Sequence, residues 1–185
     1  MISRWIALAA LILTAQPRAT AEDLFSAMAH ANFASVLLLQ SQSVDEHPIW
    51  SPKQDALAVN IEGKWMSLPF GSVTLAEGKW HDGRPIGVLK TAAVMSPLDE
   101  KTVQGWEKSG RYDPRRVETR DGTVAELKPD ELSTEFLITR KGAKPESQWK
   151  SEMENCHSLG LSPDENYVAY ICELNGVVVT RLTER

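Results

Sequence analysis

Few residues in this chain are of a type and spacing that could do chemistry, and each also has a structural use. Cys156 and Cys172 are the only cysteines. In an exported chain two cysteines pair as a disulfide, whereas a metal or reactive thiol pair would want a Cys-x-x-Cys spacing that is absent here. The four histidines, His30, His47, His81 and His157, are scattered over separate turns and strand ends. His81 beside Asp82 is either half of an acid–base pair or an ordinary turn residue next to a turn aspartate. Asp164 and Asn166 supply only a fragment of the alternating carboxylates of a calcium loop. There is no G-x-S-x-G, H-E-x-x-H, phosphate-loop or dinucleotide glycine pattern. No catalytic, cofactor-binding or metal-binding residue is therefore assigned, and no cofactor is expected. Arg111, Arg115, Arg116 and Arg120 cluster around Asp113-Pro114 and include Tyr112. Forked guanidinium donors beside a tyrosine suit a partner surface; interleaved Asp and Glu make a solvated face the competing reading. Trp50, Trp65 and Trp80 form either a ligand platform or core filling and edge cover.

The elements that must position these residues are mostly strands. From Cys156 to Leu182 the pattern is two strands around a turn, then a third. If Cys156 faces Cys172, Leu159 meets Ala169 and Leu161 meets Tyr167, leaving Ser162 to Asn166, rich in turn residues, as the loop. A bridge closing about 15 residues contributes on the order of 3 kcal/mol, chiefly by restricting the unfolded chain. An echo lies at Trp50 to Leu68. Ser51-Pro52 is followed after four residues by Leu57-Ala58-Val59, as Ser162-Pro163 is by Val168-Ala169-Tyr170. Each copy continues through a glycine turn, Glu62-Gly63 or Asn175-Gly176, into another strand. Proline presets φ, and the serine or aspartate bonds nearby N–H groups, so these residues build a hairpin.

This repeat resembles that of TolB-type β-propellers, whose blades carry a hairpin written approximately W-S-P-D-G-x-x-L-A-Y. The first copy has Trp50, Ser51, Pro52, Leu57 and Ala58, with Lys53-Gln54 in place of Asp-Gly. The second has Ser162, Pro163, Asp164, Ala169 and Tyr170, with Leu161 for the Trp and Glu165 for the Gly. The resemblance implies blade-like sheets and a role in protein–protein interaction.

Between the two copies, Ala56–Ile61, Lys64–Leu68, Val73–Ala76 and Ile86–Val94 read as strands, with a turn at His81–Pro85. Leu24, Phe25 and Met28 predict a short helix, followed by a buried strand at Ser35–Gln40. Ser96 as N-cap and Pro97 in the first turn predict a helix from Pro97 to about Lys108, which interrupts the meander. Further on, Thr123–Leu127 and Glu135–Arg140 read as strands, and Ser147–Glu154 as a short helix with Trp149 and Met153 on one side. The expected fold is mainly β: antiparallel meanders resembling part of a propeller, with one or two short helices. The alternative is an α+β domain carrying blade-like hairpins.

Arg4, the apolar run Trp5–Leu13 and Ala19-Thr20-Ala21 read as a secretory signal peptide over residues 1–21. Its apolar run falls short of the roughly 20 residues that cross a bilayer. The mature chain is then one β-rich domain, 22–185, periplasmic or secreted, with no membrane span. The formal net charge is -5, and loss of Arg4 and Arg18 makes the mature chain more acidic. That argues against nucleic acid, whose binding needs a basic excess. Three functions fit: a non-enzymatic protein-binding domain, an inhibitor or immunity-type protein, and a hydrolase or sugar-binding enzyme using His81, Asp82 and the tryptophans.

Overall fold

The computed structural model describes residues 23–39, 44, 46–80, 82–90, 94–131, 133–152, 155–173 and 176–183. The expected leader, His81, Met153 and Asn175 lie outside the described residues. Helix α1 spans Leu24–His30, followed by β1 (Ser35–Leu39), β2 (Ile49–Trp50), β3 (Ala56–Ile61) and β4 (Lys64–Pro69). Next come β5 (Leu75–Lys79), β6 (Pro85–Leu89), β7 (Ser96–Pro97) and helix α2 (Glu100–Glu107). The chain continues through β8 (Arg111–Asp113), β9 (Arg116–Glu118), β10 (Val124–Asp130), β11 (Ser133–Thr139) and β12 (Glu146–Glu152). It closes with β13 (Cys156–Leu161), β14 (Tyr167–Cys172) and β15 (Gly176–Arg181).

These strands form three sheets. A seven-stranded sheet, β5-β6-β1-β15-β14-β13-β8, lies between two four-stranded sheets, β2-β3-β4-β7 and β12-β11-β10-β9. Among the described residues all strand pairings are antiparallel except β1 with β6. The layering follows from side-chain parity. In β15, Val178 packs towards β10–β12 while Val177 and Val179 pack towards β2–β4 and α1. In β1, Leu37 takes the first side and Val36 and Leu38 the second; in β14, Tyr170 and Ala169 divide the same way. Because successive side chains alternate faces, a sheet covered on both sides needs continuous apolar runs. Leu37-Leu38-Leu39 and Val177-Val178-Val179 are such runs.

The outer faces end the stack. Helix α2 lies over the first small sheet, where Val103 packs with Ile49 and Ala58, and Trp65, Leu98 and Trp106 join them. The far face of the other small sheet presents Arg116, Glu118 and Lys128 to solvent. Strand β1, early in the chain, completes the sheet made by the last three strands, with Ser35 opposite Thr180 and Val36 opposite Val179. The mainly β expectation holds as an open stack of blade-like sheets with two short helices, not a closed ring.

Three local expectations are corrected. Cys156 faces Cys172 and His157 faces Ile171, but then Gly160 faces Ala169 and Leu161 faces Val168. A bulge at Ser158, with φ 64°, shifts the register by one. Its cause is parity: Cys156, Leu159 and Leu161 all enter one core, which an unbroken strand cannot arrange. Helix α2 starts later than Ser96-Pro97, which instead pair with Ser67 and Met66 as β7. Asp99 is the N-cap, accepting from Thr102 N at 2.9 Å, and Leu98 N donates to Trp65 O. Residues 146–152 are a strand and not a helix, because Trp149 and Ser151 alternate inward against Phe136 and Thr134. In addition, β5 and β6 start and end at different residues from those expected for Val73–Ala76 and Ile86–Val94.

Candidate functional site

Both Ser-Pro turns share the same backbone hydrogen bonds and a serine hydroxyl bonded inward, though to different positions of the turn. Ser51 N donates to Ala56 O and Gln54 N to Ser51 O; Ser162 N donates to Tyr167 O and Glu165 N to Ser162 O. The serine hydroxyl donates to an aspartate, Asp55 at 2.6 Å or Asp164 at 2.7 Å. It also accepts a backbone N–H, from Asp55 or Tyr167. The fourth residue is left-handed in each, Gln54 at φ 59° and Glu165 at φ 63°. Both serines are buried, so their hydroxyls satisfy groups that would otherwise be costly to leave unpaired.

A third turn of this kind, one residue shorter, joins β9 to β10. Thr119 N donates to Thr123 O, Gly122 N to Thr119 O, and Thr119 Oγ1 to Asp121. Thr123 N donates back to Thr119 Oγ1 at 2.9 Å, and Gly122 occupies the left-handed position at φ 87°. This copy is absent from the expected repeats. Its signal was present: Asp121-Gly122 is the dipeptide the other copies lack, and Val124-Ala125 follows where Leu57-Ala58 and Val168-Ala169 stand.

One turn comes from each sheet, and the three sit side by side. Asp164 N donates to Gln54 Oε1 at 3.2 Å, linking the first small sheet to the central one. Arg120 N donates to Glu165 Oε2 at 2.6 Å, linking the central sheet to the other small one. Glu165 also pairs with the guanidiniums of Arg120, at 3.0 Å, and Arg111. Burial works against ionisation of Asp164. The Asn166 backbone, Ser162 and the Asn166 side chain outweigh it by hydrogen bonding, so its pKa lies below 3.8. Beside the row a cavity of about 490 Å³ opens among Phe25, Phe70, Lys53, Gln54 and Asp55. Its apolar floor is fixed by Phe25, which packs on Tyr167 at 4.3 Å and edge-on against Phe70 at 5.5 Å.

The five residues expected on a partner surface divide. Arg111, Arg116 and Arg120 stand at the surface, Arg116 paired with Glu118 at 3.0 Å. Arg115 turns inward, its guanidinium donating to Asn155 Oδ1 and Cys156 O. Tyr112 is largely buried: its hydroxyl accepts Trp50 N at 3.2 Å and its ring lies 4.7 Å from His47. Burial pushes its pKa up to about 12, against the Trp50 hydrogen bond and helped by Glu107. Gly160 leaves room for this ring, since a Cβ there would lie 2.9 Å from Tyr112 Cε1.

The tryptophans enter three different cores: Trp50 faces the central sheet, Trp65 faces α2, and Trp80 stacks on Trp149 at 4.8 Å. They share no platform. Asp82 tethers a loop, accepting Arg84 N and Lys150 N. His157 Nδ1 lies 2.7 Å from Ser158 Oγ, and burial lowers its pKa below 6.5. Cys156 and Cys172 form the expected disulfide, wholly buried. Among the described residues no three His, Cys, Asp or Glu side chains are placed to hold a metal ion, and no helix is long and apolar enough to cross a membrane. Comparison of the chain with protein families, characterised proteins and solved structures finds no match.

Proposed function

We propose that this is an exported, periplasmic protein-binding domain whose binding face is the row of turns at residues 51–55, 162–166 and 119–123. The observation carrying this reading is the cross-linking of the three turns by Asp164–Gln54 and Arg120–Glu165. Each turn is held by a buried hydroxyl, so the loops are fixed by strands while their outward residues remain free to vary, as binding loops require. Lys53 and Arg120 project from the row, and the Phe25–Phe70 cavity beside it offers a place for an apolar anchor. A disulfide suits an oxidising compartment. An inhibitor or immunity-type role would be one form of the same binding.

The test is the double substitution Lys53→Ala with Arg120→Ala in the mature protein. Both side chains are exposed, and Glu165 keeps Arg111 and the backbone N–H of residue 120 when the Arg120 guanidinium is removed, so the thermal midpoint falls by at most a few degrees while partner affinity falls about tenfold, the effect of losing about 1.4 kcal/mol. Unchanged affinity would remove the row of turns from the interface.

A further inference from the structure

A second cleft opens at the same end of the molecule, between the central sheet and β11–β12. Its volume is about 420 Å³, and Asn32, Ile138, Arg140, Glu146, Gln148 and Arg181 line it. Arg140 is committed to Glu146 at 3.0 Å. Arg181, half-buried at the end of β15, is different. Among the described residues its guanidinium has no hydrogen bond or ion pair, its backbone alone being held by Ala34. Two amide side chains accompany it. Gln148 is the extra residue of a bulge, since Trp149 faces Phe136 and Ser147 faces Leu137. Bulges re-aim side chains, and Arg84 pins this one by donating to Ser147 O at 2.6 Å. Asn32 follows the C-cap of α1 in the left-handed conformation, φ 58°.

We propose that this cleft binds a carboxylate, with Arg181 as its charged anchor and with Asn32 and the second N–H of Gln148, whose Nε2 already makes a long contact to Glu146 O at 3.4 Å, as neutral donors. Two arginines and one glutamate leave a single positive charge in the cleft. A planar, singly charged carboxylate neutralises it and matches the guanidinium fork. A phosphate dianion would overcompensate beside Glu146. Ile138 supplies an apolar wall, so the preferred carboxylate carries a short hydrocarbon chain. This site is independent of the protein-binding reading: its ligand is either a free short-chain acid or the carboxylate of a bound polypeptide.

Titration of the mature protein with sodium butyrate, followed through the Arg181 Nε–H resonance, tests it. The result expected is a saturable shift, absent with 1-butanol, weaker with inorganic phosphate, lost in Arg181→Gln and retained in Arg120→Gln. A tetrapeptide with a free C-terminal carboxylate competing more tightly than butyrate would identify a polypeptide ligand; weaker competition would identify a free acid. An equal response to butanol, an equal or stronger response to phosphate, or no saturable shift in a folded protein would overturn the assignment.

Discussion

Single buried hydroxyls and one shifted histidine carry much of the local order. Ser162 Oγ donates to Asp164 and accepts Tyr167 N in a buried position. Ser162→Ala therefore leaves an unpaired N–H and costs about 1–2 kcal/mol in urea unfolding. His157 gives a pH dependence of definite sign. Burial lowers its folded pKa, Glu173 opposing and Arg115 adding to the fall. Between 6.5 and that lower value the unfolded chain holds a proton the folded one does not, so stability declines as pH falls through 6.5. In His157→Gln that decline in thermal midpoint is reduced. Asp164 acts at lower pH: its contribution is full above 3.8 and lost as pH falls through its depressed folded value.

At the scale of elements, the β13–β14 hairpin shows what could be read from sequence and what could not. Its two strands have the expected ends, because cysteine pairing and Ser-Pro turn chemistry are both local signals. A register extended from the disulfide alone contains no bulge, because it leaves out which face each residue enters. Cys156, Leu159 and Leu161 share a core only if one residue is extra. Ser158, left-handed at φ 64°, is that residue. Ser158→Gly relieves a conformation that costs a non-glycine residue on the order of 1 kcal/mol, so the variant is more stable by up to that amount. Deleting Ser158 would instead reverse the facing of Leu159 and Leu161, and no cooperative unfolding transition remains. The strand at 146–152 carries a helix-like pattern for a related reason. Trp149 and Met153 fit a helical spacing, while the alternation of Trp149 with Ser151 shows only once Thr134 is known to receive the serine. The third turn at Thr119–Thr123 belongs to the same class: its residues were legible, but its place in the row depends on contacts from distant parts of the chain.

For the whole molecule, three sheets stacked in order explain both the apolar runs and the absence of a ring. Leu37 and Leu38 are neighbours that enter opposite cores. Substituting either with Ala therefore costs about 2–5 kcal/mol, whereas a sheet with one solvated face would feel only one of the two changes. With α2 covering one outer sheet and charged residues covering the other, the stack is finite, and the proposed binding face lies where the turns of all three sheets meet. The most direct measurement is photo-crosslinking in the cells that produce the protein, with the reactive residue placed in turn at Lys53, Arg120, Glu62 and Glu131. The first two lie on the row of turns; the last two lie in hairpin turns at the opposite ends of β3 and β10. A common partner captured from Lys53 and Arg120, but not from Glu62 or Glu131, is the result expected. Capture from Glu62 and Glu131 alone, or equally from all four, would contradict a binding face built from the three turns.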